Sequence, residues 1–172
     1  MIEDILARLI EKVENRYYGK YRGFVTANND EEGLGRIRAK VPQLLGDQET
    51  GWCLPCMPYG GVKEQGFFAL PEEGAGVWIE FEGGDLSHPI WSGTWWSTGE
   101  IPESAASTKK VLKTKNGHKI TIDDEKDEID IAHKNGSHIK IGKKSIILEK
   151  GSKNIKLTGE KVSINGGNLE VE

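Results

Sequence analysis

The chain has 172 residues, a formal net charge of −4, 36% hydrophobic and 29% charged residues, and 22 glycines against 6 prolines. At 19.0 kDa and a mean hydropathy of −0.52 it holds enough apolar material for a modest core, and no run approaches the roughly 20 apolar residues that cross a bilayer. A pI near 5.7 argues against a dedicated nucleic-acid binder, whose footprint is basic, and two cysteines do not make a disulfide framework. The acidic start Met1-Ile2-Glu3-Asp4 lacks the basic region of a secretory signal, so synthesis in the cytoplasm without a signal peptide is expected.

Residues 2–17 place Ile2, Ile5, Leu6, Leu9, Ile10 and Val13 at i, i+3, i+4 spacing, with Glu3, Asp4, Arg8, Glu11, Lys12 and Glu14 opposite. That spacing predicts an amphipathic helix, whose stripe must pack on its own domain or on another chain. From residue 21 to 96 the pattern changes to short strands divided by glycine turns, at 21–27, 35–41, 52–58, 66–71, 76–82 and 89–95. Five or so strands in about 75 residues suit a small closed barrel and are too few for an immunoglobulin sandwich of about 100 residues.

The two halves differ in kind. Residues 1–100 carry 9 Lys+Arg against 16 Asp+Glu and all five Trp; residues 101–172 carry 14 against 11 and no Trp, Tyr, Phe or Cys. An aromatic core therefore belongs to the first half alone. The predicted divisions are a helix and lead-in at 1–20, a barrel at 21–100, a small polar linker at 101–108 and a repeat region at 109–172.

In the repeat region apolar pairs recur one residue apart: Ile120/Ile122, Ile129/Ile131, Ile139/Ile141, Ile146/Leu148, Ile155/Leu157, Val162/Ile164 and Leu169/Val171. Most connections contain Gly or Asn, so each unit reads as a strand of about five residues and a turn. Such a ribbon cannot bury its apolar face alone. A single-chain β-helix needs some 20 or more residues per coil, whereas three chains giving one face each fit units of 7–10. The first twelve of these residues are the expected needle core.

Chemistry-bearing motifs are few. Trp52-Cys53-Leu54-Pro55-Cys56 is similar to the thioredoxin-type motif, but that chemistry needs the first Cys at a helix N-terminus, and Met57-Pro58-Tyr59-Gly60-Gly61 cannot continue a helix. In a strand Cys53 and Cys56 point to opposite faces. A zinc ribbon would need two more ligands. His118, His133 and His138 sit near strand starts, where exposed turn histidines are expected, although symmetry mates on an axis would bring them within reach of an ion. The acids at 123–125 and 127–128 read as a solvated turn, not a glycosidase pair. No G-x-S-x-G, H-E-x-x-H or P-loop is present, and no catalytic, cofactor or metal site is expected.

Several segments carry a resemblance. They are Lys20-Tyr21-Arg22-Gly23, the run from Asp30 through Gly35-Arg36-Ile37-Arg38 to Pro42, Gly66-Phe67-Phe68-Ala69-Leu70-Pro71, Val77-Trp78-Ile79-Glu80-Phe81 and His88-Pro89-Ile90-Trp91. In this order they resemble the OB-fold domain of contractile-tail spike proteins: phage baseplate assembly protein V, the Vgr proteins of type VI secretion and spikes of extracellular injection systems. Residues 113–124 resemble the segment that opens the trimeric β-helix of these spikes. The resemblance implies a mainly β chain with an N-terminal helix, a five-stranded OB-fold barrel and an intertwined trimeric β-helix needle. It implies a non-enzymatic, homotrimeric central spike in an assembled particle, stiffened by interchain hydrogen bonds and a shared aliphatic core. The tube hub or baseplate protein would meet the OB-fold end near the helix. A PAAR-type tip protein would seat on Leu169 and Val171, and the target cell envelope would be punctured. Some phage relatives carry a lysozyme domain between barrel and needle; the interval 101–108 leaves no room for one. The alternatives are an OB-fold nucleic-acid-binding module, disfavoured by the acidic first half, and a CxxC thiol oxidoreductase.

Overall fold

A computed structural model describes residues 2–102 and 106–171, without the side chains of Arg8, Glu11, Lys12, Glu14, Glu170 and Val171. The chain divides into two compact units, Met1–Gly99 and Glu100–Glu172.

The first unit opens with α1 (Ile2–Glu14) and continues with β1 (Tyr21–Ala27), β2 (Arg38–Lys40), α2 (Pro42–Leu45), β3 (Leu54–Pro55), β4 (Gly76–Phe81) and β5 (Pro89–Thr94). The sheet order is β2-β1-β4-β5-β3, antiparallel except for the β3–β5 pair. Its two edges meet through a bridge between Ile37 and Cys53, whose amides and carbonyls exchange hydrogen bonds of 3.3 and 2.8 Å. The sheet thereby curls on itself.

Period-2 alternation turns Val25, Ala39, Val77, Ile79, Phe81 and Trp91 inward to meet Ile37, Val41 and Cys53 in one core. The Trp91 indole is buried there and donates to the Gly35 carbonyl at 3.1 Å, so its polar handle is satisfied. Gly76 is required by contact: a Cβ at this position would lie 2.6 Å from the Trp95 ring. One expected strand is absent. Residues 66–71 form no strand; Gly66 has φ +156°, and Phe68 points into solvent instead of joining the ladder.

The second unit is an antiparallel meander of eight strands: β6 (Lys109–Lys113), β7 (Lys119–Asp123), β8 (Glu128–Ala132), β9 (His138–Gly142), β10 (Ser145–Lys150), β11 (Lys153–Leu157), β12 (Val162–Ile164) and β13 (Leu169–Val171). Each strand pairs with its sequence neighbours. The backbone ladder of this unit is therefore closed within the chain, strand to strand, where the needle picture placed hydrogen bonds between chains. Turns this short let each strand fold back on the one before, so interchain pairing is not needed to satisfy the interior strands.

Candidate functional site

Cross-strand register sorts the repeat residues into two columns on one face of the meander. Leu112, Ile120, Ile131, Ile139, Leu148, Ile155, Ile164 and Leu169 form the first. Lys110, Ile122, Ile129, Ile141, Ile146, Leu157, Val162 and Val171 form the second. All twelve predicted needle-core residues thus share a face, with Leu169 and the Val171 position at its end. The Val171 side chain lies outside the described residues.

This face has no cover in the single chain. The ten isoleucines and leucines of the predicted set from Ile120 to Leu157 are each between 37 and 43% exposed. Strands of about five residues at about 3.4 Å each, stacked about 4.8 Å apart, make a slab of roughly 17 by 34 Å. A contiguous aliphatic surface of that size is at the upper end of what a monomer shows and marks an interaction site. Along the first column the face is hollowed into a groove of about 790 Å³, lined by Leu112, Ile120, Ile131, Ile139, Leu148 and Ile155 among others.

The opposite face is largely polar and carries charges of both signs. Asp130 lies opposite Lys140 in register, and Lys140 pairs with Glu128 at 3.6 Å. His138 stands between Asp130 and Glu149, at 3.5 and 3.7 Å. Opposite charges placed across strands stabilise a sheet. Val111, opposite Thr121, and Ile147, opposite Lys140 and Lys156, are aliphatic exceptions on this side.

The acidic cluster is the solvated turn expected at Asp124, Glu125 and Asp127, which are exposed, but not at Asp123. Asp123 is buried, accepts the Glu125 and Lys126 amides at 3.2 Å each, and lies 3.5 Å from the Lys109 ammonium. Burial opposes its ionisation, and the amides and Lys109 more than offset this, so its carboxyl sits below the ordinary range. It pins the β7–β8 turn. Asp127 supplies the positive φ that the turn needs, at +55°. His118 and His133 bring their rings to 4.4 Å at neighbouring turns, whereas His138 stands in the β9 ladder. Among the described residues no group of three or more His, Cys, Asp or Glu is placed to hold a metal ion.

Cys53 and Cys56 part as the strand geometry requires, one buried and one exposed. The Cys53 thiol lies 3.2 Å from the Thr50 hydroxyl, which in turn accepts the Ala39 amide at 3.1 Å. Burial pushes the thiol up to about 11, the reverse of the activated thiolate that disulfide exchange needs. Cys53 is a strut at the closure of the curled sheet.

Sequence patterning gives no sign of the arginine–tryptophan stacks in the first unit. Arg22 lies over Trp78 and Trp95 at 5.7 and 5.5 Å from the ring centroids. Arg36 and Arg38 flank Trp52 at 5.7 and 4.8 Å. These rings sit beside cations, although the unit as a whole is acidic. Arg36 is itself neutralised by Asp30, through contacts of 2.6 and 3.0 Å.

Residues 21–96 match the family model described as the type VI secretion system/phage-baseplate injector OB domain. Residues 109–170 match the phage baseplate V C-terminal trimerisation domain. The chain belongs to the phage baseplate V family. Between them the two matches leave only residues 1–20, 97–108 and 171–172 uncovered. No curated protein matches the chain. Family membership gives both units their meaning: the curled sheet is a baseplate OB domain, and the uncovered aliphatic face lies in a trimerisation domain. A structural role in a phage or type VI baseplate follows. No helix among the described residues is long and apolar enough to cross a membrane.

Proposed function

We propose that this baseplate V protein is the non-enzymatic central spike of a contractile, phage-tail-like injection device, acting as a homotrimer. The observation that carries the reading is the two-column aliphatic face, open in one chain and located in a trimerisation domain. Three such faces turned toward one axis bury each other's isoleucines and leave the paired charges outside. Removing apolar surface from water contributes about 25 cal/mol per Å², and here that contribution exists only in the assembled state. Folding of the needle, residues 109–172, and assembly are then one event. The result is a narrow prism whose closed intrachain ladders supply stiffness, able to concentrate the force of sheath contraction on a target envelope.

On this reading the OB domain at 21–100 joins the tube hub, and residues 101–108 link it to the needle. A PAAR-type tip protein seats on Leu169 and Val171, where the outer edge of β13 has no partner among the described residues. Deleting residues 166–172 is expected to abolish co-purification of that tip protein and leave the trimer intact. Light scattering tests the core of the proposal: three times 19.0 kDa, about 57 kDa, is expected, and a stably folded 19 kDa monomer overturns it.

The arginine–tryptophan stacks favour one other reading, since OB-folds bind single strands with cationic grooves and aromatic platforms. Arg36 is already neutralised, and residues 1–100 carry net negative charge. Titration with single-stranded DNA separates the readings: salt-sensitive micromolar binding would favour the nucleic-acid module.

A further inference from the structure

The first helix has an apolar stripe that stays exposed among the described residues. Ile2, Ile5, Leu6, Leu9, Ile10 and Val13 are each at least half exposed, and none belongs to the core of the OB domain or to the partly buried residues packed against it. A 13-residue helix without tertiary contacts is marginal in water, so this one needs a partner. Its root, in contrast, is fixed. The Tyr17 amide donates to the Gly84 carbonyl at 2.9 Å, and Arg16 donates to the Gly83 carbonyl at 3.1 Å and faces Asp85 at 3.6 Å. A Cβ on Gly84 would fall 3.0 Å from the Tyr17 amide nitrogen, so the chain is clamped where it leaves the sheet.

The stripe has a register. Taken as a heptad, Ile2 and Leu9 occupy d, Leu6 and Val13 occupy a, Ile5 is at g and Ile10 at e. At about 100° per residue these four a and d positions fall within roughly 60° of one another, and Ile5 and Ile10 flank them on either side. A helix laid on a single surface has no need of two symmetric flanks. A helix in a closed ring touches two neighbours, one on each side, and in a parallel ring each g position meets the e position five residues on in the next chain. Ile5 and Ile10 stand in that relation.

We infer that α1 forms a parallel three-helix bundle with the same helix of the two other copies, with Ile2, Leu6, Leu9 and Val13 as its core layers. This rests on the trimer proposed above, because a trimerisation domain holds three tethered copies of α1 at high effective concentration. The charged positions Asp4, Arg8, Glu11 and Glu14 fall on the other side of the helical wheel.

Disulfide trapping in the full chain tests it. In a Cys56→Ser background, with Cys53 buried, Leu9→Cys and Ala7→Cys are compared under oxidised glutathione while light scattering reports the mass. At position 9 covalent dimers are expected at least about tenfold faster than at position 7, reaching about two thirds of the chains because only two of three thiols in a layer can pair. Equal or absent trapping in an intact trimer overturns the bundle alone, and places the stripe against another protein. A monomeric mass overturns the trimer and the bundle together.

Discussion

The two units solve the same problem of apolar burial in opposite ways. The OB domain hides Ile37, Val41, Val77 and Ile79 completely within one chain, using aromatic bulk and a sheet that curls until its edges meet. The trimerisation domain has no aromatic residue to span such a curl. Its strands from β7 to β12 supply two aliphatic side chains each to one face, and that face stays open. Composition thus decides where a core forms: bulky side chains allow closure inside a chain, and β-branched pairs on short strands require other chains.

The sharpest way to break this contrast is a charge on the open face. Ile139→Asp brings three carboxylates together where the copies meet, and burying an unpaired charge costs several kcal/mol each. Loss of the trimer by light scattering is expected. Lys140→Gln, one residue away on the polar face, gives up only a half-exposed ion pair with Glu128 and is expected to assemble normally. Equal behaviour of the two variants would dissolve the assignment of faces.

In the OB domain the corresponding change acts within a chain. Ile79→Ala empties a fully buried position and is expected to cost about 2–5 kcal/mol. All five Trp lie in this unit, so Trp fluorescence follows its unfolding separately. The shift in that transition is expected to be independent of protein concentration, unlike melting of the trimerisation domain. A concentration-dependent shift would mean that the OB core is also shared between copies.

Much of the contrast is legible in the sequence because strand periodicity is a local property. The isoleucine pairs from Ile120 to Ile164 specify a face, and Gly or Asn between them specifies the turns. What sequence does not carry is the partner of each strand: the ladder closes within the chain, a fact that spacing alone leaves open. Residues 66–71 read as a strand because Phe67, Phe68 and Leu70 look like sheet residues, yet the backbone at Gly66 leaves the extended region that pairing requires. Asp123 reads as one acid among five, and only the packed turn reveals it as a buried acceptor. The arginine–tryptophan stacks join residues far apart in the chain, such as Arg22 and Trp95, which no local pattern connects.

A smaller loss is expected from Gly76→Ala. The added methyl meets the Trp95 ring, whose indole donates to the Val77 carbonyl at 3.2 Å and stacks edge-on against Phe24 at 5.4 Å. Overpacking of this kind costs typically about 1–3 kcal/mol. Because only the OB domain is touched, the Trp-detected transition is expected to fall while the trimer mass is unchanged. An unshifted transition would show that Trp95 swings away without cost.

The smallest effect is expected from pH. The Asp30 side chain is almost wholly covered, pairs with Arg36 through both oxygens, and accepts the Leu34 and Glu32 amides at 2.9 and 3.2 Å. The Arg36 guanidinium foremost, and those amides, hold its carboxyl well below the usual carboxylate range against the opposing effect of burial. In the unfolded chain an aspartate titrates near about 3.9. A group whose folded value is depressed contributes stability that is complete above the unfolded value and is lost as pH falls toward the folded one. Asp30→Asn removes that contribution at every pH. The Trp-detected stabilities of the two proteins are therefore expected to differ at pH 7 and to converge below about pH 4. The difference between the curves isolates Asp30 from Asp85, which the Ser87 amide foremost also lowers, since Asp85 is common to both proteins. A gap that stays constant down to pH 2 would mean that Asp30 holds its loop by shape and hydrogen bonding, with no part for its charge.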